Sequence, residues 1–241
     1  MTNQSKQKKS RRELKIEQKR LEILQSAAEA FRRNGFVATT MDDISERLLM
    51  TKGSLYYYFK NKEEILYFCQ DYSLTLLLKQ LAEVQRSGAP PDEKLRRVIV
   101  GQVAVILDVL KASAMHADFQ MLSPPLLKKV IAKRDRYERG IRAIIAEGIA
   151  RRVFVPCDPK LIALAILGAI NWTVKWFSPA GPLSAEAIGE AFADYFLRGL
   201  ARRPAPSLPV PSGEVPARFG NAEGQTVTSA PSKTTRRRLV P

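Results

Sequence analysis

Between Leu21 and Leu66 the chain carries a dense series of helix-capping residues, and this punctuation restricts the fold more than any other feature. Leu21, Leu24, Ala28 and Phe31 recur at helical spacing and form one apolar stripe. Asn34-Gly35 ends that helix, because glycine accepts the left-handed conformation that a C-terminal cap requires. Thr40 then caps a short helix carrying Met41, Ile44 and Leu48. After a break near Leu49-Met50, Thr51 caps a third helix from Lys52 to about Phe59. Asn61 with Glu64 has capping-box spacing for a fourth, from Lys62 onward. Two short helices joined by a tight turn are helix-turn-helix geometry.

The third helix has two unlike faces. Leu55 and Phe59 are spaced i, i+4 and turn to the core. The other side shows Lys52, Gly53, Ser54, Tyr56 and Tyr57. Small residues let a backbone approach base edges, while lysine and tyrosine reach phosphates or guanine acceptors. A short tyrosine-rich helix is more often core when taken alone. The capped helices on both sides favour DNA here.

The stretches ILQSAAEAFRRNGFVATTMDDIS and TKGSLYYYFKNKEEIL, within Leu24 to Leu66, resemble the DNA-binding domain of the tetracycline-repressor (TetR) family. The resemblance implies an all-α fold: a three-helix head on a larger helical ligand-binding and dimerisation domain. It implies DNA contacts at Thr40, Thr51, Lys52, Gly53, Ser54, Tyr56, Tyr57, Tyr58 and Lys62. One position departs from the family pattern. The glycine usual in the turn before the recognition helix is Leu49 here. Either Leu49 bears a left-handed conformation, at about 1 kcal/mol or more, or the turn differs.

Residues 62–203 read as helices throughout. The first runs from Lys62 to about Gln85, and Ser87-Gly88-Ala89-Pro90-Pro91 breaks the chain. Asp92 is expected to cap the next, and Met115 to Ser123 to form a short connection. Pro124-Pro125 starts a long helix to about Ala150. Asp158-Pro159 places an N-cap before proline at the first helical position. Ser184 caps the last helix, which ends near Arg203. The expected organisation is therefore a basic disordered arm over 1–16, a DNA-binding domain over 17–61, a ligand and dimer domain over 62–203, and a disordered tail over 204–241. That tail carries seven of the fifteen prolines and ends in Arg236, Arg237 and Arg238.

Charge narrows the partners. Of a net charge of +15, eleven units lie in residues 1–20 and 201–241, and such an excess favours a polyanion. A lone histidine, His116, argues against a His-based triad or a multi-histidine metal site. Cys69 and Cys157 form no CxxC motif and suit a reducing cytoplasm. The longest apolar run, Leu161 to Trp172, is 12 residues, too short for a membrane span of about 20. No metal, cofactor or catalytic residue is expected. An acyl-thioester enzyme is a poor alternative without a nucleophile–base pair. A non-specific coat on nucleic acid is a third class, and it would bind without sequence preference.

The long helix concentrates charge from Lys128 to Arg142, with seven basic residues against Asp135 and Glu138. That is either a solvated face or the mouth of a site for an anionic effector. The segment from Lys133 to Gly181 also resembles a TetR branch whose members sense CoA thioesters in fatty-acid or sterol-ring degradation. The resemblance points to Asn171, Trp172 and Trp176, and chemistry adds Arg136, Tyr137 and Arg139 as the cationic and apolar lining of an effector site. Trp172 and Trp176 share a helix face that either walls the slot or packs at a dimer seam. The reading as a whole is a cytoplasmic homodimeric repressor, bound to a palindromic operator and released by a small-molecule effector, an acyl-CoA. The alternative within the family is a sensor of a neutral hydrophobic drug or metabolite.

Overall fold

A computed structural model describes residues 10–109 and 118–202. The expectations for the arm before Ser10, for His116 and for the tail over 204–241 lie outside the described residues. The order is α1 (Arg11–Ala38), α2 (Met41–Arg47), α3 (Lys52–Tyr58), α4 (Lys62–Arg86), α5 (Pro91–Ala104), a π-helical turn (Val105–Val109), a 3-10 turn (Asp118–Met121), α6 (Pro124–Ala150), α7 (Pro159–Trp176) and α8 (Ala185–Leu200). The chain is all-α. Among the described residues the β-type pairing is one isolated antiparallel bridge between Phe154 and Ala201. No described helix is long and apolar enough to cross a membrane.

Local chemistry explains most boundaries. Ser10 and Glu13 form a capping box, with the Glu13 N–H donating to Ser10 Oγ at 3.2 Å and the Ser10 N–H to Glu13 Oε2 at 2.7 Å. Helix α1 therefore begins at Arg11, inside the segment 1–16 expected as a disordered arm. The basic composition masked an ordinary capping signal. At Gly35 the backbone reaches φ 78°, ψ 157°, a region essentially reserved for glycine. Thr40, Thr51, Asn61, Asp158 and Ser184 all accept a first-turn N–H as N-caps. Asp92 does not. Helix α5 starts two residues earlier than that cap implies, at Pro91, behind Pro90, and Asp92 sits within the first turn. There its charge still complements the helix dipole.

Leu49 resolves the turn between α2 and α3. Its φ is 52°, and its side chain is 96% exposed. The Leu49 N–H donates to Glu46 O and the Met50 N–H to Ser45 O, each at 3.0 Å. The tight turn is kept, and Leu49 carries the left-handed cost without any burial to offset it.

Two apolar cores share one helix. The first joins Ile23, Leu24, Ala27 and Phe31 of α1 to Ile44 of α2, to Leu55 and Phe59, and to Ile65, Leu66, Cys69 and Leu74 of α4. The second begins further along α4, at Leu77, Leu81 and Val84, and takes in the buried stripes of α5, α6, α7 and α8. Leu122, just after the 3-10 turn, and Val130, in the first third of α6, belong to the first core. The head is thus braced by the larger domain as well as connected to it. Helices α5 and α8 approach closely where Gly189 faces Val100, since a Cβ on Gly189 would lie 3.1 Å from the Val100 Cα.

Candidate DNA and effector sites

The two short helices fix the outer face of the head. Leu55 and Phe59 are fully buried and anchor α3. That anchoring leaves Thr51, Lys52, Gly53, Ser54, Tyr56 and Tyr57 on the exposed side. Tyr57 is the more open of the two exposed tyrosines, at 65% against 43% for Tyr56. Tyr58 is half-buried, packs against the head core, and meets Tyr57 edge-to-face with ring centroids 5.0 Å apart. Thr40 and Thr51 are exposed and already hold the Asp43 and Ser54 N–H groups as caps. The Lys52 ammonium pairs with Asp42 of α2 at 2.8 Å, and that hydrogen-bonded carboxylate raises the lysine pKa.

Gly53 has a negative φ and open space where a Cβ would stand. Nothing inside the chain requires glycine there, although a glycine within a helix is less stable than alanine by about 0.5–1 kcal/mol. The position faces outward, on the side of α3 where the sequence reading expects DNA. Gly53→Ala is accordingly expected to raise the thermal midpoint of the head while weakening operator binding. Calorimetry and a mobility-shift titration on the same sample check both signs.

Lys62 is placed differently from the other expected DNA contacts. Its ammonium donates to the carbonyls of Phe36, Val37 and Thr39 at 2.8, 2.7 and 2.9 Å, and lies 4.9 Å from the Phe36 ring centroid. All three ammonium donors are engaged within the chain. Lys62 ties the end of α1 to the start of α4, and does not stand open to a phosphate.

The effector candidates separate into two groups. Tyr137 and Asn171 meet at a small, partly open cavity of about 40 Å³, lined also by Leu74, Leu77, Gln102, Arg134 and Leu167. The Tyr137 hydroxyl donates to Gln102 Oε1 at 3.2 Å, and full burial pushes its pKa up. Arg136 and Arg139 stand exposed on the outer side of α6. Trp172 and Trp176 are 64% and 46% exposed on α7. The cavity therefore does not gather these four.

Sequence reading missed Gln102 and Arg134. The signal for Arg134 was present: Val130, Arg134, Tyr137 and Ile141 follow one helical stripe, and one member of that buried stripe is a cation. The basic stretch is also less uniform than its composition. Lys133 pairs with Asp71, and Arg142 with Glu138. Among the described residues, no group of three or more His, Cys, Asp or Glu side chains is placed to hold a metal ion.

Comparison with known proteins fixes the family. Residues 23–67 match the family of bacterial regulatory proteins, tetR family, and residues 88–200 match the tetracyclin repressor-like C-terminal domain. The crystal structure of the TetR family transcriptional regulator PfmR from Thermus thermophilus is 35% identical. It covers 75% of this chain and 99% of its own, with a TM-score of 0.66. The HTH-type transcriptional repressor KstR2 of Mycolicibacterium smegmatis is 29% identical over 187 residues, covering 76% of this chain and 91% of the relative. A structure of AibR in complex with isovaleryl coenzyme A and operator DNA is 26% identical, with a TM-score of 0.63. It covers 76% of this chain and 98% of that one. The chain belongs to the TetR family of transcriptional regulators. It is a DNA-binding regulator and not an enzyme.

Proposed function

We propose that this regulator is a homodimeric repressor, held on a two-fold operator by α3 and released when an acyl-CoA enters the larger domain. The observation that carries the reading is α4, which supplies Ile65, Leu66, Cys69 and Leu74 to the head core and then Leu74 and Leu77 to the cavity wall. One rigid element lines the effector cavity and sets the head. The cavity, at about 40 Å³, has room for roughly one water molecule, whereas ligand sites run to about 300–1,000 Å³. An effector enters only by parting the helices, so binding and helix movement are one event. The relationship to AibR supports a CoA thioester. Exposed Lys128, Lys129, Arg136 and Arg139 offer charge to its phosphates, while Tyr137 and Asn171 belong to the acyl end.

On the head, Thr40, Thr51, Lys52, Gly53, Ser54, Tyr56 and Tyr57 form the proposed DNA face. Lys52 reaches a phosphate or base edge by exchanging Asp42 for DNA. An operator-release titration with a panel of acyl-CoAs tests the whole reading. Release by thioesters and not by free CoA is expected. Release by a neutral hydrophobic compound alone would make the protein a drug or metabolite sensor instead.

The dimer seam is proposed on α7 and α8. Leu161, Leu164, Trp172 and Trp176 of α7 and Tyr195 of α8 are exposed large apolar residues. Gly168 and Gly199, on the same two helices, leave open space above their Cα atoms. Large apolar side chains left uncovered on a helix face are a common mark of an association surface. Paired recognition helices about 34 Å apart also fit two successive major grooves. Leu164→Asp places a charge in this seam and is expected to convert dimer to monomer in sedimentation velocity. A wild-type chain sedimenting as monomer at micromolar concentration would reject the seam.

A further inference from the structure

The effector cavity contains a cation that a hydrocarbon chain would not need. Arg134 reaches the cavity from α6, and its Nη1 is sealed from solvent without a hydrogen-bond partner. Its guanidinium lies over the Phe119 ring, 4.1 Å from the centroid. No neighbouring carboxylate offsets its burial, which alone pushes its pKa down. Across the cavity, Asn171 Oδ1 is likewise sealed and unpartnered. Gln102 and Tyr137, the other polar lining groups, hydrogen-bond to each other.

A buried guanidinium resting on an aromatic ring has its charge only partly compensated. The natural complement is a planar anion that accepts two parallel N–H bonds. An unsubstituted alkyl chain in the same place would bury the orphan donor more deeply and leave it unpaired. The amide of Asn171 can turn to present either its oxygen or its NH2 group. It can therefore hold a second oxygen of the same ligand.

Building on the effector reading above, we infer that Arg134 binds a carboxylate at the inner end of the effector, with Asn171 completing the site. The favoured ligand is an acyl thioester whose acyl group ends in a carboxylate. A carboxylate could also come from a free acid, and the two sources are separable by experiment.

Phe119 gives this contact a consequence. The ring that Arg134 covers packs against the head core, and the same turn leads to Ser123, whose N–H donates to Glu63 Oε1 at 2.6 Å. A carboxylate that draws the guanidinium from Phe119 loosens a support of the head.

The test uses the full-length dimer on its operator. Butyryl- to decanoyl-CoA are compared with the matched ω-carboxyacyl thioesters, succinyl- to sebacyl-CoA, and with the corresponding free mono- and dicarboxylic acids. For at least one chain length, the ω-carboxyacyl thioester is expected to release DNA at a concentration about tenfold lower than its unsubstituted partner. Arg134→Gln is expected to abolish that preference, so that the two thioester series release DNA at equal concentration, each compared with the variant's own ligand-free operator affinity. If the glutamine variant does not fold, Arg134→Lys keeps the charge and loses the planar fork, and should reduce the preference. Equal potency of the two thioester series on the wild-type protein, or a preference that survives in Arg134→Gln, overturns the inference. If no thioester acts but a free acid binds in an Arg134-dependent way, carboxylate recognition stands and the thioester reading falls. If no carboxylate of either kind depends on Arg134, the inference falls.

Discussion

Leu55→Ala is expected to destabilise the head by about 2–5 kcal/mol and to abolish operator binding. Leu55 is fully buried at the centre of α3, against Phe59 and the apolar stripe of α1. Helix α3 has only seven residues and no independent stability, so its orientation depends on its buried anchors, of which Leu55 is the one within the helix. Tyr57→Ala, two residues on, is the matched control. Tyr57 is exposed, and its loss should change stability by no more than about 0.5 kcal/mol. Operator affinity should nevertheless fall by about 1–3 kcal/mol if the tyrosine reads a base. Chemical denaturation separates the two variants. Loss of binding in both with stability unchanged in both would mean that α3 is not anchored as described.

Lys62→Met should also act through stability. The substitution keeps the aliphatic stem and removes the donors to three carbonyls at the end of α1. Hydrogen bonds from a charged donor contribute about 1.5–3 kcal/mol each. Partial exposure and water access reduce the total here to roughly 2–3 kcal/mol. The salt dependence of DNA binding distinguishes this role from phosphate contact. A lysine on a phosphate contributes about one unit to the slope of log affinity against log salt. Lys62→Met is expected to leave the slope unchanged while lowering the melting temperature. A slope reduced by one unit at unaltered stability would restore Lys62 to the DNA face.

These two residues also show where sequence reading works and where it stops. Leu55 was legible because burial on a short helix follows from spacing, and the caps at Thr40, Thr51 and Asn61 are set by neighbours within a few residues. Lys62 was not legible as a capping group. Its carbonyl partners lie 23 to 26 positions away, and only the fold brings them together. The same division holds in the larger domain. Asp158-Pro159 and Ser184 start their helices as local chemistry requires. The facing of α7 was not local. Trp172 and Trp176 share a side of the helix in any reading, but whether that side meets a cavity or the outside depends on how α7 packs on α6. Composition hid Arg134 among six other basic residues, and only the periodicity of Val130, Tyr137 and Ile141 separates it from them.

Helix α4 also has a mechanical advantage that can be put in numbers. At about 1.5 Å per residue its 25 residues span roughly 37 Å, without an internal proline or glycine to act as a joint. Leu77 lies nine residues from the Arg86 end, and Lys62 lies 24 from it. If the helix turns about Arg86 as a stiff beam, 1 Å of give at Leu77 becomes about 2.7 Å at Lys62. Two such beams in a two-fold pair change the span between recognition helices by as much as about 5 Å, against a groove repeat of about 34 Å. In the proposed dimer, a side chain's worth of room opened around Leu77 would be geared up into a misfit of the heads on DNA.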